Sequence, residues 1–294
     1  MPLTITEALL HAREEKLPGD SPTLDAQVLL ADVMRQQRAW LLAHPEAELI
    51  NKQEADWADK LKRLASGEPL PYIIGHWEFF GLDFKVTPDV LIPRPETELL
   101  VETALGWLKE YPGKRRIVDV GTGSGCIAVS LAVNVISSGR TSVRPYTKAY
   151  FSPEIVAVDI SEKALEVAQE NAKAHKVDER IYFVQSDLLE AVEGPYDLIC
   201  GNLPYIPSSK LPALEVYKHE PKLALDGGAE GLDLIERLLK DAGRVLNAGG
   251  LMLLEIEDGQ RESALGLAEE VFSGAQSEVL ADLAGKPRLL RIQT

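Results

Sequence analysis

From residue 115 to the end of the chain, short apolar runs alternate with segments of helical periodicity, and this alternation leaves few possible folds. The seven runs are R-I-V-D-V, I-V-A-V-D, I-Y-F-V-Q, Y-D-L-I-C, L-M-L-L-E-I, S-E-V-L-A-D and R-L-L-R-I. Apolar strands that alternate with helices form parallel sheets, because the crossover helices cover both faces of the sheet. The pattern therefore predicts an α/β domain with a doubly wound, mostly parallel sheet of seven strands.

The earlier part of the chain follows a different pattern. Up to about residue 70 the periodicity is helical. One helical face is formed by Trp57, Ala58, Leu61, Leu64 and Ala65. The segment S-G-E-P-L-P-Y then interrupts the helical pattern, and E-F-F-G-L-D-F-K-V alternates around a glycine as a β-hairpin does. We therefore expect a small helical domain over residues 1–70, a β-hairpin linker over 71–95 and the α/β domain over 96–294.

Composition and charge narrow the class of protein. The formal net charge of -15 opposes an extended nucleic-acid surface, although Lys114, Arg115 and Arg116 could form a local basic strip. No apolar run reaches the roughly 18 residues of a membrane span, and the amino terminus lacks a signal peptide. Cys126 and Cys200 lack the spacing of a zinc site or a disulfide framework. We expect a cytoplasmic protein without a metal, a membrane contact or direct nucleic-acid binding.

One stretch interrupts the alternation of strands and helices. Residues 136–153 contain Arg140, Arg144 and Lys148 but no acidic residue. Long loops of this kind are either solvated connections or functional lids. The sequence leaves both interpretations open.

A glycine-rich turn follows the first predicted strand of the α/β domain. The sequence there is G-T-G-S-G, formed by Gly121, Thr122, Gly123, Ser124 and Gly125. Glycines at a strand-to-helix turn allow a positive φ and a close approach of a ligand, while the following helix presents free N–H groups. The spacing differs from the G-x-G-x-x-G of dinucleotide-binding turns. The turn predicts a ligand site without identifying the ligand.

Acidic residues mark the ends of the next two strands. Asp159 ends I-V-A-V-D, where its carboxylate could accept both hydroxyls of a ribose or cap the following helix. Asp187 follows I-Y-F-V-Q, where it could accept an amino proton of adenine while Leu188 packs against the ring. A loop cap with a core leucine is the alternative for that pair. Because three successive strand ends meet at one edge of a parallel sheet, together they favour a nucleoside site.

This arrangement resembles the class I S-adenosylmethionine-dependent methyltransferases. The resemblance implies a Rossmann-like domain and identifies the ligand as S-adenosylmethionine, the methyl donor. The predicted cofactor-binding residues are Gly121, Thr122, Gly123, Ser124, Gly125, Asp159, Asp187, Leu188 and Asn202.

The fourth strand leads into G-N-L-P-Y, which places Asn202 at the same edge. A planar nitrogen is a poor nucleophile, so its N–H groups must be held by acceptors as positive charge develops. The side-chain oxygen of Asn202 and the carbonyl of Leu203, held by Pro204, can accept those protons, with Tyr205 as an aromatic wall. These four residues are the predicted catalytic and substrate-binding residues. The alternative is a proline-bounded turn in which Asn202 bonds its own backbone.

The sequence G-N-L-P-Y is similar to the N-P-P-Y motif of methyltransferases that modify amide or exocyclic amino nitrogens. Together with V-L-I-P-R-P-E-T-E, H-E-P-K-L-A-L-D and L-L-E-I-E, it resembles the HemK/PrmC family. The resemblance implies methylation of the glutamine side-chain nitrogen in the Gly-Gly-Gln loop of peptide chain release factors, with the helical domain recognising that substrate. Leu203 stands where the family usually has proline, and Glu257 where it usually has glycine.

Two other functions remain open at this point. A DNA or RNA adenine amino-methyltransferase would use the same two acceptors on a flipped base, although the acidic charge opposes it. A non-catalytic nucleoside-binding protein would have no need of Asn202, Pro204 and Tyr205 together. Glu220 and Pro221 belong to the H-E-P-K motif, but the sequence assigns them no role.

Overall fold

The computed structural model describes residues 2–113, 115–138 and 154–294. Arg140, Arg144 and Lys148 of the predicted basic stretch lie outside the described residues. The chain divides into two compact units, Met1–His76 and Trp77–Thr294. Within the described ranges, every helix is too short or too polar to cross a membrane.

The first unit is helical, as the sequence predicts. Its helices are α1 (Ile5–Glu14), α2 (Pro22–Met34), α3 (Arg38–Ala43), α4 (Asn51–Ala65) and α5 (Leu70–Ile74). On α4, Trp57, Leu61 and Leu64 are buried, which confirms the predicted apolar face. Ala58 is exposed, so its assignment to that face is wrong. The reason is geometric, because adjacent helical residues project about 100° apart.

A β-hairpin follows, formed by β1 (His76–Phe79) and β2 (Leu82–Lys85). Phe80 and Gly81 join the strands, and both have a positive φ, of 53° and 72°. Two such residues form the type of turn whose twist matches that of the paired strands. The hairpin confirms the prediction drawn from E-F-F-G-L-D-F-K-V.

The second unit is built around a seven-stranded sheet. Its strands are β3 (Arg116–Val120), β4 (Glu154–Asp159), β5 (Ile181–Gln185), β6 (Tyr196–Gly201), β7 (Leu246–Glu255), β8 (Gln276–Ala281) and β9 (Pro287–Gln293). They lie in the order β5-β4-β3-β6-β7-β9-β8. All neighbours pair in parallel except β9, which is antiparallel to β7 and β8. The seven predicted strands and the mostly parallel sheet are confirmed.

Helices pack on both faces of this sheet and explain its apolar strands. They are α6 (Glu98–Glu110), α7 (Cys126–Ser138), α8 (Glu162–Ala174), α9 (Asp233–Val245) and α10 (Arg261–Val271). Alternate residues of β3 enter opposite cores: Ile117 belongs to one buried cluster and Val118 to the other. The order of the sheet reverses at β3, which pairs with β4 on one side and β6 on the other. In open α/β sheets, ligands bind beyond the carboxyl ends of the strands at such a reversal.

Candidate active site

A cavity of about 430 Å³ lies beyond the carboxyl ends of β3, β4, β5 and β6. Ligand pockets for small molecules fall in this range of volume. The predicted site residues that line it are Gly121, Thr122, Gly123, Ser124, Asp159, Asp187, Leu188, Asn202, Leu203 and Pro204. Gly125 and Tyr205 are not among its lining residues. The structure thus brings ten of the twelve predicted residues round one cavity.

Each glycine of the turn has a positive φ, but for different structural reasons. A Cβ atom on Gly121 would lie 3.0 Å from Leu203 Cδ2, so this glycine admits the leucine side chain. A Cβ atom on Gly125 would lie 3.0 Å from Ala168 Cβ, which belongs to α8. Gly125 therefore allows close helix packing outside the cavity. A Cβ atom on Gly123 would meet only the Gly121 carbonyl oxygen, at 4.0 Å, and Gly123 lines the cavity.

The Asp159 carboxylate connects the glycine turn to the start of α8. Its Oδ2 accepts the Gly123 N–H at 2.9 Å, and its Oδ1 accepts the Ser161 N–H at 2.9 Å. Ser161 itself caps α8, since its hydroxyl accepts the Ala164 N–H. Burial raises the pKa of Asp159, and hydrogen bonds from the backbone N–H groups of Ser161, Gly123 and Ile160 oppose that rise. A carboxylate has about four lone-pair sites in all, so Asp159 keeps the capacity to accept hydrogen bonds from a ribose.

Asp187 and Leu188 follow β5 and line the wall of the cavity next to Asp159. Asp187 Oδ2 accepts a hydrogen bond from Arg237 Nη2 at 2.9 Å, and Arg237 and Leu234 bring α9 into the lining. Sequence reasoning missed both α9 residues, although their spacing of three places them on one helical face. Leu188 is buried with a φ of 50°. A leucine in this left-handed region is strained, which is common at ligand sites.

The Asn202 side chain belongs to a chain of hydrogen bonds. Asn202 Nδ2 donates to Thr97 Oγ1 at 3.0 Å, and the Thr97 hydroxyl donates to Glu255 Oε2 at 2.6 Å. The Tyr205 hydroxyl donates to Glu255 Oε1 at 3.1 Å, so it points to this carboxylate. The pKa of Tyr205 is raised, mainly by burial and to a lesser degree by the negative charge of Glu255. Sequence reasoning gave no role to Thr97 or Glu255, although both lie in quoted motifs.

Leu203 contributes more than the carbonyl that the sequence suggested. Its side chain is only 4% exposed and belongs to the buried cluster that includes Val120. It fills the space that Gly121 leaves open. Leu203 therefore joins the glycine turn after β3 to the loop after β6.

Glu220 joins two further loops at the cavity. It is 5% exposed, and its carboxylate accepts the Ile92 N–H at 3.2 Å and a hydrogen bond from the Arg94 guanidinium. Arg94 and Pro221 line the cavity. This ion pair connects the L-I-P-R-P segment with the H-E-P-K segment, which gives both motifs a structural role.

Asp119 is a buried acid that sequence reasoning did not single out. Its Oδ2 accepts the Thr122 hydroxyl at 2.7 Å and the Ala128 N–H at 3.2 Å. Oδ1 has no hydrogen-bond partner among the described residues. Burial raises the pKa of Asp119 to about 7. The carboxyl holds the glycine turn against the start of α7.

The donor set fits a nucleoside bearing a charged tail. The glycine turn lies beside carboxylates at two strand ends, and apolar side chains line the space between them. A cluster of acids, histidines or cysteines that could hold a metal is absent from the described residues.

Comparison with known proteins gives consistent results for the whole chain. Residues 7–75 match the family model described as "PrmC N-terminal domain", and residues 113–276 match "Methyltransferase domain". A release factor glutamine methyltransferase of Moorella thermoacetica is 40% identical over 97% of each chain. Another, from Coxiella burnetii, is 40% identical over 98% of each chain.

A solved structure supports the same fold. A 16S rRNA N2 G1207 methyltransferase of T. thermophilus superimposes with a TM-score of 0.51 and 20% identity, covering 74% of this chain and 49% of that one. At this identity the likeness concerns the fold alone. The second unit has the class I methyltransferase fold, as the sequence predicts.

Proposed function

The chain belongs to the family of release factor glutamine methyltransferases, and we propose that it transfers the methyl group of S-adenosylmethionine to a release-factor glutamine. The acceptor is the side-chain amide nitrogen of the glutamine in the Gly-Gly-Gln loop. One observation carries the assignment of this reaction to the cavity. The Asn202 amide lines the same cavity as the glycine turn and Asp159.

The methyl donor occupies the part of the cavity nearest β3, β4 and β5. Asp159 accepts the ribose hydroxyls through its remaining lone pairs. Asp187 accepts an amino proton of adenine, and Leu188 packs against the ring. The backbone of the glycine turn surrounds the amino-acid tail, and the methylsulfonium supplies an electrophilic carbon.

The acceptor amide lies against the loop after β6. Its two N–H groups donate to Asn202 Oδ1 and to the Leu203 carbonyl, which turns the nitrogen lone pair toward the methyl group. As the nitrogen–carbon bond forms and the sulfur–carbon bond breaks, positive charge develops on the nitrogen. These two oxygens stabilise that charge. The sulfur leaves as a neutral thioether, and the nitrogen releases one proton to solvent water.

The first unit recognises the protein substrate, with residues 1–70 as the recognition domain, 71–95 as the linker and 96–294 as the methyltransferase domain. The proposed contacts to the methyl donor all lie after residue 115, so cofactor binding needs none of the first unit. The reaction takes place in the cytoplasm, where release factors act.

We propose no direct binding of nucleic acid. In the described residues, the arginines of the possible basic strip at residues 114–116 are paired with acids. Arg115 pairs with Asp197 at 3.3 Å and Arg116 with Glu154 at 3.3 Å. Lys114 lies outside the described residues. Together with the net charge of -15, these pairs favour a protein acceptor.

The test incubates the protein with S-adenosylmethionine carrying a labelled methyl group and, separately, with release factor or with DNA. We expect label on the release-factor glutamine and none on DNA. A factor with a Gly-Gly-Glu loop should accept less than about one part in 10⁴, because a carboxylate leaves both oxygen acceptors unpaired. Label on DNA, or equal labelling of both loops, would contradict the proposal.

A further inference from the structure

A chain of hydrogen bonds joins the side chains of Asn202, Thr97, Glu255 and Tyr205. The direction in which these bonds run is determined by Glu255. Both hydroxyl groups, those of Thr97 and Tyr205, donate their protons to Glu255. An ionised carboxylate can only accept hydrogen bonds. The proton of the Thr97 hydroxyl is therefore committed to Glu255 and is not available to Asn202.

The direction of the Thr97 bond determines which end of the Asn202 amide lies beside Thr97. Because the Thr97 hydroxyl donates its proton to Glu255, its Oγ1 atom can only accept a hydrogen bond from the amide, which lies 3.0 Å away. The amide must present Nδ2, since Oδ1 at that place would set two acceptors against each other. Nδ2 is thereby held at Thr97, and Oδ1 occupies the other branch of the amide.

We propose that Glu255, acting through Thr97, orients the Asn202 amide with its oxygen toward the acceptor, and that this orientation selects an amide acceptor over a carboxylate. The inference rests on the proposed function. In the reversed orientation, Asn202 would present N–H groups to the N–H groups of the glutamine. That arrangement suits a carboxylate and opposes the reaction. Thr97 and Glu255 are positioning residues, since they act through Asn202.

Burial prevents water from replacing Thr97 or Glu255, the two central members of the chain. Thr97 is 1% exposed and Glu255 is 2% exposed. The half-buried Asn202 amide could turn over if it lost this partner, because its oxygen and nitrogen have nearly the same shape. The pKa of Glu255 is raised, with burial as the largest cause. The hydrogen bonds from Thr97 and Tyr205 and the charge of Arg288 partly offset that rise, and the charge of Glu96 adds to it.

The experiment compares Thr97→Val, which keeps the shape and removes the hydroxyl, with Thr97→Ser, which keeps the hydroxyl. Glu255→Gln tests the role of the carboxylate. A glutamine amide can donate a hydrogen bond as well as accept one, so it no longer forces the Thr97 hydroxyl to donate to residue 255. Thr103→Val is the matched control, since the Thr103 hydroxyl donates only to the Leu99 carbonyl within α6. Single-turnover rates are measured on release factor, together with the affinities for Gly-Gly-Gln and Gly-Gly-Glu loops and for S-adenosylmethionine.

Thr97→Val and Glu255→Gln should lower the rate and the preference for the Gln loop by about tenfold each, as the loss of one buried hydrogen bond predicts. Thr97→Ser and Thr103→Val should resemble the parent, and all variants should keep their affinity for S-adenosylmethionine. A Thr97→Val variant that loses rate but keeps the loop preference would overturn the proposal. A parent protein that methylates no glutamine would instead overturn the proposed function itself.

Discussion

Replacing Leu203 with alanine should separate the stability of the site from its chemistry. The leucine side chain is 4% exposed and packs against Gly121, whereas only the Leu203 carbonyl takes part in the proposed reaction. The substitution removes three buried carbon atoms. At about 0.8 kcal/mol per methylene, transfer accounts for about 2.4 kcal/mol, and the remaining space adds to this.

We therefore expect Leu203→Ala to lower the free energy of unfolding by about 2–4 kcal/mol. Its kcat should stay within about tenfold of the parent, because Pro204 still restricts residue 203 to extended conformations. Asn202→Ala should behave in the opposite way, with kcat lowered by about 10²–10³ through loss of an acceptor in the transition state. Leu203→Pro should also stay within about tenfold in kcat, since it preserves an extended backbone.

The assay combines urea unfolding with single-turnover kinetics at a temperature where every variant is folded. Leu239→Ala is the matched control, because Leu239 is fully buried in the same cluster but does not line the cavity. It should lose stability to a similar degree and keep the parent rate. If Leu203→Ala slowed methyl transfer as much as Asn202→Ala, the leucine side chain would have a catalytic role and the reasoning would be wrong.

Three further predictions concern the cofactor, the first unit and a buried acid. Asp159→Ala should weaken S-adenosylmethionine binding by about 1.5–3 kcal/mol, and unchanged affinity in calorimetry would contradict the ribose assignment. A fragment beginning at Trp77 should bind S-adenosylmethionine but methylate release factor poorly, and a full rate on the intact factor would refute a recognition role for the first unit. Burial raises the pKa of Asp119 from 3.8 to about 7, so between these values the folded state keeps a proton that the unfolded state loses. The free energy of unfolding of the parent, relative to Asp119→Asn, should therefore fall as the pH rises from 5.5 to 7, by at most about 1.4 kcal/mol per pH unit. Urea unfolding of both proteins across this range measures that difference, and a constant difference would contradict the assignment.

The strands and the edge of the sheet that holds the site could be predicted because their signals are local. A run such as R-I-V-D-V is apolar throughout, since helices cover both faces of the sheet. The glycine turn and Asp159 directly follow or end such runs. Parallel strands bring their carboxyl ends to one edge, so the neighbourhood of these groups follows from the order of elements alone.

The roles of individual residues depended on contacts between distant parts of the chain. Gly125 has the same local pattern as Gly121, yet only the structure shows that it faces Ala168 and not the cavity. Tyr205 likewise directs its hydroxyl to Glu255. A turn sequence specifies the backbone conformation, but not which neighbour fills the space beside it.

The sequence by itself determined the class of fold, the edge of the sheet that carries the cavity and the placement of the Asn202 amide at that edge. Only the tertiary structure decided how that amide is oriented. Thr97 lies 105 residues before Asn202, and Glu255 lies 158 residues after Thr97. No local pattern relates residues so far apart. They meet because Thr97 and Glu255 are buried at the same place beside Asn202, where an unpaired polar group is costly and needs a partner.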